Sequence, residues 1–407
     1  MPAAASPATP APPPAPAPAP RGAAAFARRA ALFWAPFVIV AAVFEAALWR
    51  SGESWPVKRT LEAQARDAGA IALRGLLDQS FYAYKHAGLR RARPRVLALG
   101  SSRVMKFRAA MFGADAPRFY NAGGLVVNVE DLVAFADALA RAEAPAVVLL
   151  GVDMWWLNAA RPAEDGFSRG IHEDGARSWQ GHVLAWRELL RRSDMLRATL
   201  PALAPGAGTA RRIGLQARLH GEGFRHDGSL ESGLPVPADA RGWRFVDRER
   251  PTVARRIRRG VELFEPTHGV APARVARLRR GLLRLRGRGC LVVGFAPPVY
   301  SGAAALLEQD ERHRRLWREY REVLPRLFAA LDMPYVDAST PARLGLDDRY
   351  LLDGFHPEET FLVHLLRRML QDPRVAGALP TAGAAVERAL ASPRTNYWHA
   401  DLGGARR

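Results

Sequence analysis

The stretch Arg95-Val96-Leu97-Ala98-Leu99-Gly100-Ser101-Ser102-Arg103 decides how the chain is read: an apolar run of strand length, then a glycine, then polar residues. Such a run, followed by a helix-compatible segment from Val104 to Met111, is the pattern of a buried strand feeding a helix. The pattern repeats. Phe119 and Tyr120 lead into Asn121-Ala122-Gly123-Gly124, and helical periodicity follows over Glu130 to Ala142. Ala146 to Gly151, Cys290 to Phe295 and Pro334 to Ala338 are further strand runs. Strands alternating with helices imply a parallel sheet with helices on both faces, so the expected class is α/β.

Between Trp155 and about Glu265 the alternation fails, and the chain becomes rich in Arg, Gly and Trp, with helical pieces such as Val183 to Arg192. This reads as a large insertion after the third strand, at the sheet edge where open α/β folds place their ligands. Residues 1 to 20 are almost wholly Ala and Pro, a composition that cannot bury a core. From Ala30 to Trp49 the chain is apolar except for Glu45, with Trp34 and Trp49 near the two ends. About 20 residues suffice to cross the hydrocarbon layer, and tryptophan favours its interfaces. The expected organisation is a disordered tail over 1–29, a transmembrane anchor over 30–49 and a juxtamembrane helical segment over 50–90. The α/β domain then covers 91–375, with its insertion at about 155–265, before a C-terminal tail over 376–407. Arg21, Arg28 and Arg29 before the anchor balance Arg50, Lys58 and Arg59 after it, so charge does not set the orientation.

With 407 residues, 49% apolar and 24% charged, the chain has the proportions of a globular protein and is far longer than a stapled mini-domain. Its single cysteine, Cys290, excludes an internal disulfide, and no Cys/His spacing suits zinc. No metal or organic cofactor is expected. The net charge of +19 comes almost entirely from arginine and allows attraction to anionic lipid or polymer. No zinc-finger, RNP-type or basic-zipper pattern accompanies it, so nucleic acid is not expected as a partner.

Two short blocks carry chemistry. Ser102 stands where a strand turns into a helix, so that backbone N–H groups would face whatever its hydroxyl attacks. The same serine would equally suit a helix cap. Far downstream, Asp353-Gly354-Phe355-His356 places a carboxylate three residues before an imidazole, a spacing that lets Asp353 hold the ring's tautomer. A capping aspartate beside a helix-start histidine is the structural alternative.

Taken together the blocks resemble the SGNH hydrolases, the GDSL-type esterases and lipases. Gly100-Ser101-Ser102 is similar to the family's Gly-Asp-Ser block, with Ser101 replacing the aspartate, and Asp353-Gly354-Phe355-His356 matches the late Asp-x-x-His block. The likeness covers roughly residues 91 to 372 and implies a flavodoxin-like three-layer parallel sheet. It makes Ser102 the nucleophile, His356 the base and Asp353 its support. It also implies that Asn121-Ala122-Gly123-Gly124 is the block whose Gly123 N–H joins that of Ser102 in the oxyanion hole. Gly151-Val152-Asp153 sits where the family has Gly-x-Asn, so Asp153 replaces an amide that donates to the oxyanion. An ionised carboxylate there would repel that charge, and Arg103 is expected to pair with Asp153 and serve as the missing donor. Trp155 and Trp156 follow the third strand, as a sugar platform or as core packing. Ala296-Pro297-Pro298 reads as a stiff loop beside the site.

The expected function is a serine esterase or O-acyltransferase acting on acyl, chiefly acetyl, esters of an envelope or exported polysaccharide. The architecture is similar to inner-membrane proteins whose catalytic domain lies outside that membrane. A membrane acyltransferase or polymer-export protein is the further partner it implies. The alternative is a catalytically weak polysaccharide-binding or assembly factor on the same fold, which the substitution at Asp153 supports.

Overall fold

The computed structural model describes residues 21–77, 81–174, 176, 178–191, 197, 211–232 and 252–391. They form two compact units, divided between Ala46 and Ala47. Helix α1 (Arg21–Ser51) is long and apolar enough to cross a membrane. Its start corrects the expected tail, because Arg21 to Arg29 are helical; alanine and arginine are good helix formers once the proline-rich run ends. Residues 1–20 lie outside the described residues.

After α1 come α2 (Val57–Arg66), β1 (Ile71–Ala72), α3 (Tyr82–Ala92), β2 (Val96–Gly100), β3 (Phe119–Gly123), α4 (Val129–Ala138) and β4 (Val147–Gly151). Then follow α5 (Gly166–Gly170), α6 (Trp179–Arg191), β5 (Arg212–Ile213), α7 (Leu215–His220), β6 (Glu222–Phe224) and β7 (Leu230–Ser232). The remainder is α8 (Pro272–Gly287), β8 (Leu291–Ala296), α9 (Ser301–Gln309), α10 (Glu311–Ala330), β9 (Tyr335–Asp337), α11 (Glu359–Met369), α12 (Pro373–Ala378) and α13 (Ala382–Ala391).

The larger sheet has five strands in the order β3-β2-β4-β8-β9, and every pair is parallel. Strands β2, β3 and β4 are buried along their whole length, which explains why β2 and β4 read as continuous apolar runs and not as alternation. The register Gly100↔Gly123 and Gly151↔Phe295 brings the carboxyl ends of β2, β3, β4 and β8 to one edge. Gly100 there has φ +150°, and a Cβ on it would lie 3.0 Å from the Gly151 carbonyl oxygen. Only glycine lets these two strand ends approach so closely.

Residues 50–90 are more than the helical segment expected. They contribute β1 to a second sheet, ordered β5-β1-β6-β7, whose other strands come from residues 212–232. The C-terminal segment is likewise not wholly a tail. α13 buries Ala382, Ala385, Val386 and Ala389, while residues 392–407 lie outside the described residues.

Lys85, on α3, ties the two sheets together. Its fully buried side-chain nitrogen donates to Asn121 O on β3 at 3.1 Å and to Gly228 O in the β6–β7 turn, and sits 4.0 Å from the Phe224 ring centre. Burial pushes its pKa down to about 7, with Asp227 opposing the shift. Between that value and the ordinary one near 10.4, the unfolded chain carries a proton that the folded chain has lost, so stability should rise with pH at up to about 1.4 kcal/mol per unit. The melting temperature of the detergent-solubilised protein should climb from pH 7 to pH 9, and Lys85→Met should flatten that climb. Lys106, pushed down by burial to about 8, adds a smaller rise of the same sign. An unchanged slope in Lys85→Met would show that Lys85 keeps its proton in the fold.

Candidate active site

At the end of β2 the chain does not enter the expected helix. It makes a single 3-10 turn, Ser102–Val104, capped by Ser101, whose Oγ accepts from the Arg103 N–H at 3.4 Å. A second 3-10 segment begins only at Ala109. The intervening residues are pulled instead into β3: the buried Asn121 side chain donates to Val104 O at 2.8 Å and Phe107 O at 2.9 Å. A single turn lacks the summed dipole of a long helix, so individual N–H groups must do what the helix start was expected to do.

Ser102 is exposed and its Oγ lies 2.8 Å from His356 Nε2. His356 Nδ1 is 2.6 Å from Asp353 Oδ2. The other carboxylate oxygen of Asp353 accepts from the Phe355 N–H at 2.8 Å and the His356 N–H at 2.7 Å. Burial alone would raise the Asp353 pKa, but His356 and these two amides outweigh it and hold the carboxyl below the usual range. Asp353 therefore stays ionised and fixes which ring nitrogen faces the serine. The loop carrying both residues is closed by the Leu352 N–H donating to His356 O at 2.8 Å and by a bridge between Leu351 and Pro357.

The oxyanion side differs from expectation. The Gly123 N–H donates to Asn121 Oδ1 at 2.8 Å and the Gly124 N–H to Gly100 O at 2.8 Å. Gly123 is thus already committed in this arrangement, because the asparagine that anchors the serine loop turns its remaining oxygen onto that amide. Of the two candidate amides at Ser102 and Gly123, only that of Ser102 has no acceptor among the described residues.

Arg103 and Asp153 do meet, at 2.8 Å between Nη1 and Oδ1, and they are 2% and 0% exposed. Nε donates to Phe355 O at 3.0 Å and Nη2 to Pro298 O, three of the guanidinium's five N–H groups being used in all; buried and absent from the lining of the cleft beside Ser102, it does not face an oxyanion position there. It lies 5.2 Å from the Trp155 ring centre and 5.9 Å from that of Phe355. Burial pushes the Asp153 carboxyl up, and the Arg103 charge and the Ser101 hydroxyl only partly oppose this. Arg103 is consequently a clamp joining the ends of β4 and β8 to the residue before His356, and the Ala296-Pro297-Pro298 loop supplies one of its acceptors.

The two tryptophans part company. Trp156 is fully buried in the core, whereas Trp155, 6% exposed, stacks edge-on to Phe355 and touches the cleft beside Ser102. That open cleft has a volume of about 640 Å³. Its far wall holds residues that sequence reasoning did not single out, among them Tyr82 from α3 and Arg161, Glu164 and Arg274 from distant segments. Nothing local marks them, because they converge only through tertiary packing. Arg161 is bound to both oxygens of Glu265, and Arg274 to Glu130, so the wall is polar but internally neutralised. Among the described residues no group of three or more His, Cys, Asp and Glu side chains could hold a metal ion.

No family model matches the chain, and no curated protein is measurably similar to it.

Proposed function

We propose that the chain is a membrane-anchored serine esterase or O-acyltransferase of SGNH type, acting on acyl, chiefly acetyl, esters of an envelope or exported polysaccharide. The observation that carries this reading is the continuous relay from Ser102 Oγ through His356 to Asp353 at the rim of an open cleft. The sheet supports it: numbered in chain order, its five strands run 2-1-3-4-5, the order of flavodoxin-like folds, with the relay outside the carboxyl ends of the strands. In this reading residues 155–265 are the insertion, of which Trp155, Arg161, Pro162, Glu164, Gly166 and Leu263 line the cleft.

His356 Nε2 takes the hydroxyl proton as Ser102 Oγ bonds to the ester carbonyl carbon. The ester C–O bond then breaks, and the leaving sugar oxygen takes that proton from His356. Water or a second sugar hydroxyl attacks the acyl-serine by the same steps in reverse, which makes the enzyme an esterase or a transferase respectively. Asp353 stabilises the imidazolium that forms in each half-reaction.

Treating the detergent-solubilised protein with a serine-reactive phosphonate should label Ser102, read by mass spectrometry of its peptide. Labelling should vanish in His356→Ala. The second reading, a catalytically weak binding or assembly factor, is favoured by the committed Gly123 amide and by Asp153 standing at the amide position; absence of label would select it. The reading further puts the α/β domain outside an inner membrane, with the N-terminus in the cytoplasm. Protease added to intact spheroplasts should then digest the domain, and protection until lysis would reverse the orientation.

A further inference from the structure

Helix α6 has two unlike faces. Ala185 and Leu189 are buried in a small cluster with Leu76, Leu77, Leu215 and Leu48, and Leu48 belongs to the last turn of α1. On the other side Trp179 is 73% exposed, Val183 43% and Leu190 66%, while Leu184, 50% exposed, lies off their line beyond Arg187 and Arg191. Their spacing of i, i+4 and i+11 puts all three within about 40° on a helix of 3.6 residues per turn. Arg187 and Arg191 are exposed just beside this stripe. A tryptophan-bearing apolar stripe flanked by arginine is the composition of a helix lying in a membrane interface.

The position fits the same partner. Leu48 stands one residue before the end of the apolar run Ala30–Trp49, so a span ending there places Leu48 at the level of the lipid headgroups. Leu48 shares its buried cluster with Ala185 and Leu189 of α6, so α6 begins from that level. A soluble partner would have to compete there with the bilayer itself.

We propose that α6 is an in-plane membrane helix, with Trp179, Val183 and Leu190 among the acyl chains of the leaflet that α1 leaves, and Arg187 and Arg191 on anionic headgroups. This rests on α1 spanning the membrane. The domain would then be held to the surface at two points. A span alone would leave the domain free to swing.

The test uses the full chain carrying Cys290→Ala, with a spin label at Val183→Cys or Leu190→Cys and a control label at the exposed Arg279→Cys on α8. The protein is reconstituted in phosphatidylcholine vesicles with or without phosphatidylglycerol. Labels on α6 should collide with oxygen several-fold more, and with a water-soluble nickel chelate several-fold less, than the control label does. Immersion should deepen with phosphatidylglycerol, and Arg187→Glu/Arg191→Glu should abolish that deepening. Labels as open to nickel as the control would overturn the proposal, and so would labels shielded from both reagents, which would mean that a second copy or another protein covers the stripe. Alkaline carbonate extraction separates the failures. Protein stripped by alkali would remove the span and the proposal with it, whereas retained protein with nickel-exposed labels would overturn α6 alone. The proposed hydrolase chemistry, read by phosphonate labelling, is independent of both.

Discussion

Ser102→Ala should lower hydrolysis of a small activated acetyl ester by roughly 10⁶-fold, the loss seen when a serine triad loses its nucleophile. His356→Ala should fall by a similar factor, and the double variant should be little worse than either single, because the two side chains act as one unit. Asp353→Ala should lose about 10⁴-fold, since the imidazole would then be free to present the wrong nitrogen to the serine. The measurement is initial rate with p-nitrophenyl acetate, and unchanged circular dichroism should accompany each loss. All three side chains lie at the rim of the sheet, with Ser102 exposed and the others 22% and 28% exposed, so their removal opens no core. Hydrolysis that survives Ser102→Ala would sink the mechanism.

The second large effect concerns the buried ion pair. Asp153→Ala leaves a guanidinium 2% exposed with no counter-charge, and Arg103→Ala leaves a carboxylate with no exposure at all. Breaking a buried pair from one side costs about 3–5 kcal/mol, because the remaining charge stays desolvated. The double variant should cost less than the sum of the singles, with a coupling well above about 1 kcal/mol in denaturant unfolding. A surface pair would couple by no more than that. Arg103→Lys is the more informative change for activity. It keeps the charge but cannot donate at once to Asp153, Phe355 O and Pro298 O, as the planar fork does. Since Phe355 immediately precedes the base, kcat should fall in Arg103→Lys while KM stays near that of the wild type. Additive stabilities together with an unchanged kcat would reduce the clamp to ordinary packing.

Strands β2, β4 and β8 were legible because they are almost wholly buried and written as apolar runs, whereas β3 carries Asn121 and the half-buried edge strand β9 carries Asp337. Arg95 to Gly100 and Cys290 to Phe295 fall within one residue of the observed β2 and β8 at either end. The second sheet was illegible for the opposite reason. Its strands are two or three residues long, too short for any period to show, and β1 finds its partners more than a hundred residues away in the chain. At the site, a motif of three or four adjacent residues carries its own chemistry, so Ser102, Asp353 and His356 could be picked out locally. The pairing of Arg103 with Asp153 followed from strand adjacency. What the guanidinium does there did not, because two of its acceptors are backbone carbonyls, which no side-chain identity announces. The same holds for Gly123: whether its amide is available depends on which way the Asn121 side chain turns.

The relay joins residues 254 positions apart, and the Arg103 clamp reaches 252 positions to Phe355. Contacts so distant along the chain form late, since the loop they close must first lose its entropy. At a synthesis rate of about 5–20 residues per second, roughly 10–50 s separate the emergence of Ser102 from that of His356. Throughout that interval β2, β3 and β4 can pair, but Ser102 has no group to take its proton and Arg103 lacks two of its acceptors. A nascent chain therefore carries a chemically idle serine. On the proposed function, turnover would begin only when the 351–357 loop docks, so the appearance of esterase activity during refolding should lag behind the return of secondary structure and track the final consolidation of the domain.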